Sequence, residues 1–226
     1  MYEPLPSEVL EKARTLPVKP DSAILSGTKV KLVPTVVDTD AQALYEISNG
    51  TPVTIGRYQT DAYDPDERVW RYLFHGPFDS VDAFADDLNN WVQSENGLCF
   101  TVFDAESGRA VGVTNYMRNH PEHLRIELGG IWYTPAVQRT GVNTEAAYLM
   151  LKHAFDLGYR RVEWKCHADH IRSRNAALRL GFTFEGIQEA HMIWKGRSRD
   201  TAWFRMLSDE WPDVRAALEE RLVSQD

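Results

Sequence analysis

The sequence predicts an α/β or α+β fold built on one sheet, and three observations lead there. Runs of strand character occur at residues 28–33, 98–103, 110–117, 124–133, 160–167, 182–187 and 201–206. Between them stand stretches with apolar residues at helical spacing, at 38–48, 79–95, 144–156, 171–180 and 209–223. A short turn over residues 104–108 joins two of the strands into a hairpin, so part of the sheet is antiparallel. This order, in which strands and helices alternate, suits one sheet covered by helices.

The first 26 residues are punctuated by Pro4, Pro6, Pro17 and Pro20 and read as an N-terminal extension that wraps the domain or stays partly disordered. Residues 7–15 suit a short helix with Ser7 as its cap. Residues 27–226 read as one domain, closed by the C-terminal helix. In residues 28–33 apolar and polar side chains alternate, as in a half-buried strand. Asp38 or Thr39 is the expected cap of the next helix, with Ala41, Leu44, Tyr45 and Ile47 on its apolar face. Residues 51–78 have no clean period. Their density of Tyr, Trp and Phe suits either a binding loop or a second apolar cluster, and residues 65–74 suit a short helix. Asp79 or Ser80 caps the next helix, where Val81, Phe84, Leu88, Trp91 and Val92 recur at helical spacing. Residues 118–123 form a polar link. Gly129 and Gly130 interrupt the strand that follows, the mark of a bulge or of a close approach by another backbone or a ligand. Residues 191–200 read as a polar, basic loop, and Asp209 caps the last helix.

Composition narrows the function. A formal charge of −8, with nothing strongly basic, argues against a nucleic-acid partner. No run is long and apolar enough to span a bilayer, and no secretory leader is recognisable, so a cytoplasmic protein without a membrane partner is expected. Cys99 and Cys166 lie in apolar strand runs and read as buried thiols. No His, Cys, Asp or Glu set has metal-ligand spacing, so no metal is expected.

The stretch from Ile131 to Glu145 carries the most chemistry. A strand ends at Tyr133, a helix begins near Thr144, and the turn between them holds Gly141. Unpaired amides and the helix dipole make such a turn an anion site, with Asn143 available as the cap. Gln138-x-x-Gly141-x-Asn143 resembles the Gln/Arg-x-x-Gly-x-Gly/Ala signature of the GNAT N-acetyltransferase superfamily, with Asn143 at the last position. Gly141-Val142-Asn143-Thr144-Glu145-Ala146 and the helix after it are similar to the RimJ/RimL-like branch. The resemblance covers roughly residues 28–208. It implies a mixed, mostly antiparallel sheet flanked by helices and splayed open at the cofactor site. It also implies acetyl-CoA as co-substrate. Its phosphates would lie on the amides of Arg139, Thr140, Gly141, Val142 and Asn143, beside Gln138, with the pantetheine arm along the main chain of Ile131 and Tyr133.

On the same resemblance Glu127 is the expected general base. The alternative is a structural glutamate paired with Arg125 or Arg161. Strand parity puts Glu127 on one face with Gly129, Ile131 and Tyr133, unless a bulge disturbs the count. The family's Tyr acid has no counterpart before Gly181-Phe182. Ser173 is the expected hydrogen-bond donor to the leaving sulfur, or else a helix cap. His170 stands where the branch has a cofactor-binding Asn. Trp70, Phe74, His75 and Trp132 are the expected acceptor-binding residues. The function implied is acetyl transfer, without an acyl-enzyme, to a primary amine on a small molecule or a protein N-terminus, by a protein of a family in which homodimers are common. The alternative is a GNAT-fold module that binds an acyl-CoA without turnover. A nucleotide binder is disfavoured because the P-loop and dinucleotide fingerprints are both missing.

Overall fold

Strand pairing gathers the alternating runs into an eight-stranded sheet. The computed structural model describes residues 4–224, so the outer ends of the two expected segments, 1–3 and 225–226, lie outside the described residues. In chain order the elements are α1 (Ser7–Thr15), β1 (Leu25–Ser26), β2 (Val30–Pro34), α2 (Val37–Glu46), β3 (Val53–Ile55), β4 (Tyr58–Thr60), α3 (Val81–Val92), β5 (Leu98–Asp104), β6 (Ala110–His120), β7 (Arg125–Tyr133), α4 (Val142–Leu157), β8 (Arg161–His167), α5 (Ile171–Arg179), β9 (Thr183–Trp194), β10 (Arg197–Leu207) and α6 (Trp211–Val223). The sheet order is β1-β2-β5-β6-β7-β8-β10-β9, and β3 with β4 makes a separate hairpin. Every neighbouring pair of the large sheet is antiparallel except β7 with β8. The mixed, mostly antiparallel sheet flanked by helices is therefore present.

Helices cover both faces. Phe84 of α3 packs edge-on to Trp132 of β7. On the opposite face the Tyr116 hydroxyl donates to Met150 O of α4 at 2.6 Å, and the Trp164 indole donates to Ser173 Oγ of α5 at 3.0 Å. Trp211 of α6 stacks on Phe155 of α4 at 5.2 Å. Leu32, Phe100, Val102, Ile126 and Leu128 are buried between the layers. Each such side chain contributes about 1.5–3 kcal/mol through removal of apolar area from water. The N-terminal segment lies against the sheet: Asn119 Nδ2 donates to Pro17 O (3.0 Å) and Val18 O (2.8 Å).

Several local expectations are corrected. Residues 191–200 are not a loop. β9 runs to Trp194, turns at Lys195 and Gly196, and returns as β10. Their polar side chains hid a strand hairpin because that stretch stands clear of the apolar core. Residues 118–120 belong to β6, and only Pro121–His123 forms a 3-10 turn. Within 65–74 the helical part is one π turn, Asp66–Trp70. Of the expected caps, Ser80 Oγ does accept from Ala83 N–H at 3.2 Å. Ser7, Asp38, Thr39 and Asp209 do not cap, because the helices start at Ser7, Val37 and Trp211 without a side-chain cap bond.

Candidate functional site

The parallel pair opens the sheet. β7 and β8 stay in register from Arg125↔Arg161 to Leu128↔Trp164 and then part, although β7 continues to Tyr133 and β8 to His167. Beyond Leu128 the β8-facing edge of β7 has no strand partner among the described residues. The gap is a cleft of about 1070 Å³ that includes Glu127, Gly129, Ile131, Trp132 and Tyr133 in its wall.

A bulge shapes that edge. Gly130 has φ +58°, and the β6–β7 register shifts between Asn115↔Gly129 and Val113↔Trp132. An L side chain rarely adopts that φ, so glycine suits the position. Asn115 Nδ2 ties the bulge to β6 by donating to Gly129 O (3.3 Å) and Gly130 O (3.1 Å). The extra residue breaks the simple parity count. Trp132, not Tyr133, shares the face of Glu127 and Gly129, while Tyr133 sits opposite Gly112 on the α4 face.

At the open end of the cleft the chain turns through Pro135–Val137 into α4. Arg139 has φ +69° and Gly141 φ +92°, two left-handed residues that reverse the backbone ahead of the helix. α4 starts at Val142 with Gly141 as its cap, so Asn143 lies in the first turn and does not cap. The first intrahelical bond is Glu145 N–H to Gly141 O at 3.0 Å, which leaves the amides of Val142, Asn143 and Thr144 without a partner inside the helix. Gln138, Arg139, Gly141 and Asn143 line the cleft. Thr140 turns back to donate to Val137 O (2.7 Å), and the Val142 side chain is fully buried, so these two offer the cleft only backbone. Gln138 Nε2 donates to Tyr133 O at 3.3 Å and braces the turn.

Deeper in, Glu127 is 4% exposed. Its Oε2 lies 2.5 Å from Lys165 Nζ and 3.9 Å from Arg118 Nε. Burial pushes the Glu127 carboxyl above the usual carboxylate range, with Lys165 and then Arg118 opposing it. Burial likewise lowers Lys165, which also lies 4.3 Å from the centre of the Trp203 ring. A Cβ on Gly129 would sit 3.1 Å from Glu127 Oε1 and 2.4 Å from Met117 Sδ, so the glycine keeps that oxygen clear. Arg125 and Arg161 pair instead with Glu163, at 3.4 and 2.8 Å.

Ser173 and His170 stand across the cleft from β7, on the turn into α5. Ser173 Oγ accepts the Trp164 indole N–H, so its own proton is left to turn toward Cys166 or into the cleft. The α5 cap position is His170, which makes no side-chain cap bond. His170 stacks on Tyr72 at 4.2 Å, and burial lowers its pKa to about 4, so it is neutral at pH 7. Of the four expected acceptor-binding residues, Trp132 and Phe74 line the cleft. Trp70 lies beneath it, donating to Ser48 O at 2.9 Å. His75 pairs with Asp87 and lies outside the main cleft wall. No group of three or more His, Cys, Asp or Glu among the described residues is arranged to hold a metal ion.

Sequence reasoning passed over Lys165, Arg118, Tyr72 and Arg199, all in the cleft wall. A signal existed for Lys165. Arg161, Glu163, Lys165 and His167 alternate with Val162, Trp164 and Cys166, which marks a polar strand face. Lys195-Gly196 between alternating residues was the corresponding sign of the hairpin that carries Arg199. Neither pattern names a partner across the parallel register.

This cleft and its strand order have counterparts in known proteins. A family profile described as an acetyltransferase (GNAT) domain matches residues 31–183. A GCN5-related N-acetyltransferase from Brucella melitensis is 37% identical with a TM-score of 0.81, over 89% of this chain and 86% of that one. A probable GNAT-family acetyltransferase from Chromobacterium violaceum is 35% identical with a TM-score of 0.75, over 86% and 90%. A ribosomal-protein-serine acetyltransferase from Escherichia coli (strain K12) is 29% identical over 96 residues, 42% of this chain. The match spans 52% of that curated relative, about half its length.

Proposed function

The chain belongs to the GNAT acetyltransferase family, and from that premise we propose that it transfers the acetyl group of acetyl-CoA directly to a primary amine. The observation that carries this reading is the edge of β7 beyond its β8 pairing, which runs from the buried Glu127 toward the amides at the start of α4 that have no partner inside the helix. Those groups fit the co-substrate. The amides of Val142, Asn143 and Thr144, with Arg139 beside them, suit phosphate oxygens. The β7 edge at Ile131 and Tyr133, beyond the last β8 pairing at Leu128, suits an extended amide-bearing arm. When bound there, acetyl-CoA supplies an acetyl group on a thioester. His170, neutral and stacked on Tyr72, gives that arm an uncharged wall.

An amine attacks only when neutral, so its proton must leave first. Glu127 Oε1, kept clear by Gly129, is the acceptor we assign for that proton. Burial raises the carboxyl and suits it to hold a proton, while the Lys165 ammonium beside it opposes that rise and favours the carboxylate. Backbone N–H groups at the Gly130 bulge polarise the acyl oxygen. Ser173, with one lone pair committed to Trp164, donates a hydrogen bond through its hydroxyl to the departing sulfur and keeps its proton. Phe74 and Trp132 wall the acceptor end.

The Escherichia coli relative acts on a ribosomal protein by its name, and the sequence resembles the RimJ/RimL-like branch, so a cytoplasmic setting belongs to the same reading. No helix among the described residues is long and apolar enough to cross a membrane.

Thermal melts with acetyl-CoA, CoA and ATP, followed by thiol release over an amine panel, test this. Acetyl-CoA and CoA should raise Tm and ATP should raise it less. Glu127→Gln should lower kcat by about 10²–10⁴-fold, the range for general base catalysis, with the acetyl-CoA shift retained. No stabilisation by acetyl-CoA would sink the reading. Equal turnover by Glu127→Gln would remove Glu127 as the base.

A further inference from the structure

A buried cation in the cleft has no ion-pair partner among the described residues. Arg199 lies on β10, where the β9–β10 hairpin passes the end of β8. The β9–β10 register shifts between Arg199 and Thr201, and beyond the shift Thr201 and Trp203 oppose His167 and Lys165. Arg199 lines the same cleft as Lys165 and Glu127. It is 5% exposed, yet it lines the cleft. Its Nε and Nη1 are buried with no hydrogen-bond partner among the described residues. Its guanidinium carbon lies 5.0 Å from the centre of the Phe74 ring, a contact that satisfies none of the donors. Lys165 and Arg118 already answer Glu127, at 2.5 and 3.9 Å. Burial lowers the guanidinium's pKa, with Glu127 close enough to oppose this and Arg118 to add to it. An uncompensated buried charge is costly, and such a group persists where an incoming anion completes it.

The same hairpin limits what can enter. Trp194 Nε1 donates to Leu73 O at 3.0 Å, and Lys195 Nζ donates to Trp70 O (3.1 Å) and Gly76 O (3.0 Å). These bonds strap the tip of the hairpin to the segment that carries Phe74. A strapped end suits a compact acceptor better than a folded protein's terminus.

The geometry points to Arg199 as the residue that selects the acceptor: a small amine bearing a carboxylate or phosphate, with the anion on Arg199 and the amine at Glu127. The assignment rests on the acetyl-transfer reading for the role of Glu127, and on the free guanidinium for the anion.

Calorimetric binding to the CoA-saturated protein tests it without requiring turnover. One arm pairs amino acids with their decarboxylated amines; the other pairs phosphorylated amino alcohols with the free amino alcohols. The two arms tell carboxylate from phosphate. In one arm the anionic member should bind about tenfold tighter or more, the scale of a charge-assisted hydrogen bond. Arg199→Met should erase that preference, leave the neutral amines within about threefold, and hold or raise Tm because a buried unpaired charge is removed. Arg199→Lys should keep part of the preference, since the charge survives and the planar fork does not. Equal binding of both members in both arms, a preference that survives Arg199→Met, or a lower Tm for that variant would each overturn the assignment. Acetyl-CoA stabilisation and thiol release, measured alongside, report on the acetyl-transfer reading separately.

Discussion

Glu127 and Lys165 share a corner where water is scarce and each controls the other. Burial raises the carboxyl, and the ammonium 2.5 Å away pulls it back. If Glu127 takes the proton of the acceptor, the acid limb of the kcat/KM profile follows its pKa, because the protonated form cannot act as a base. Lys165→Met removes the cation and leaves the burial. The acid limb should then move to higher pH by about one to three units, the usual effect of an opposite charge at this range. An unmoved limb would separate Glu127 from the proton transfer. Glu127 was legible as a site residue because its spacing from Gln138 follows the family pattern. Its partner was not, since Arg125 and Arg161 are equally basic and their choice of Glu163 depends on the parallel register of β7 and β8.

Elements are held to the site by a few polar clamps. Glu145, in the first turn of α4, is 4% exposed and accepts from Thr28 N (2.9 Å), Thr28 Oγ1 (2.7 Å), Lys29 N (2.7 Å) and Val30 N (2.8 Å). A Cβ at Gly27 would meet its carboxyl carbon at 2.4 Å, so the chain passes close over it. The carboxylate pins the turn before β2 to the helix whose start forms the proposed phosphate site. Glu145→Ala strips the acceptor from three backbone N–H groups at once. It should cost about 3 kcal/mol in urea unfolding, with an unchanged m value, from the lost charge-assisted bonds and the buried Val30 N–H left without its acceptor. A loss under about 1 kcal/mol would mean that water reaches those amides. In the sequence Glu145 was visible only as part of a family-like run. Its distance of more than a hundred residues from Thr28 hid the clamp, and the polar faces of β9 and β10 hid the hairpin for a related reason: apolar period marks burial in the core, not pairing beyond it.

Charge is distributed unevenly over the whole molecule. The chain carries −8, yet the cleft wall holds two carboxylates, Glu67 and Glu127, among several Arg and Lys side chains. The buried histidines contribute to the response to acid. Burial lowers His153, His167, His170 and His191, and His170 falls to about 4 from an ordinary 6.5. Between those values the unfolded chain binds a proton at His170 and the folded one does not, so the His170 contribution to stability is lost as pH drops from 6.5 toward 4 and is constant above. His170→Asn should reduce proton uptake on unfolding at pH 5 by about one and flatten the Tm–pH curve there, while leaving it unchanged at pH 7.5. A parallel curve would place His170 in water. The sequence by itself determined the sheet, its helices and the turn that faces the proposed phosphate site, because period, caps and glycines act through neighbours along the chain. Only the tertiary structure decided the parting of β7 from β8, the flip of parity at Gly130, the Lys165 partner of Glu127 and the unanswered charge of Arg199. Those follow from which strands meet and in what register, and segments far apart in the chain settle that by burying their apolar faces together.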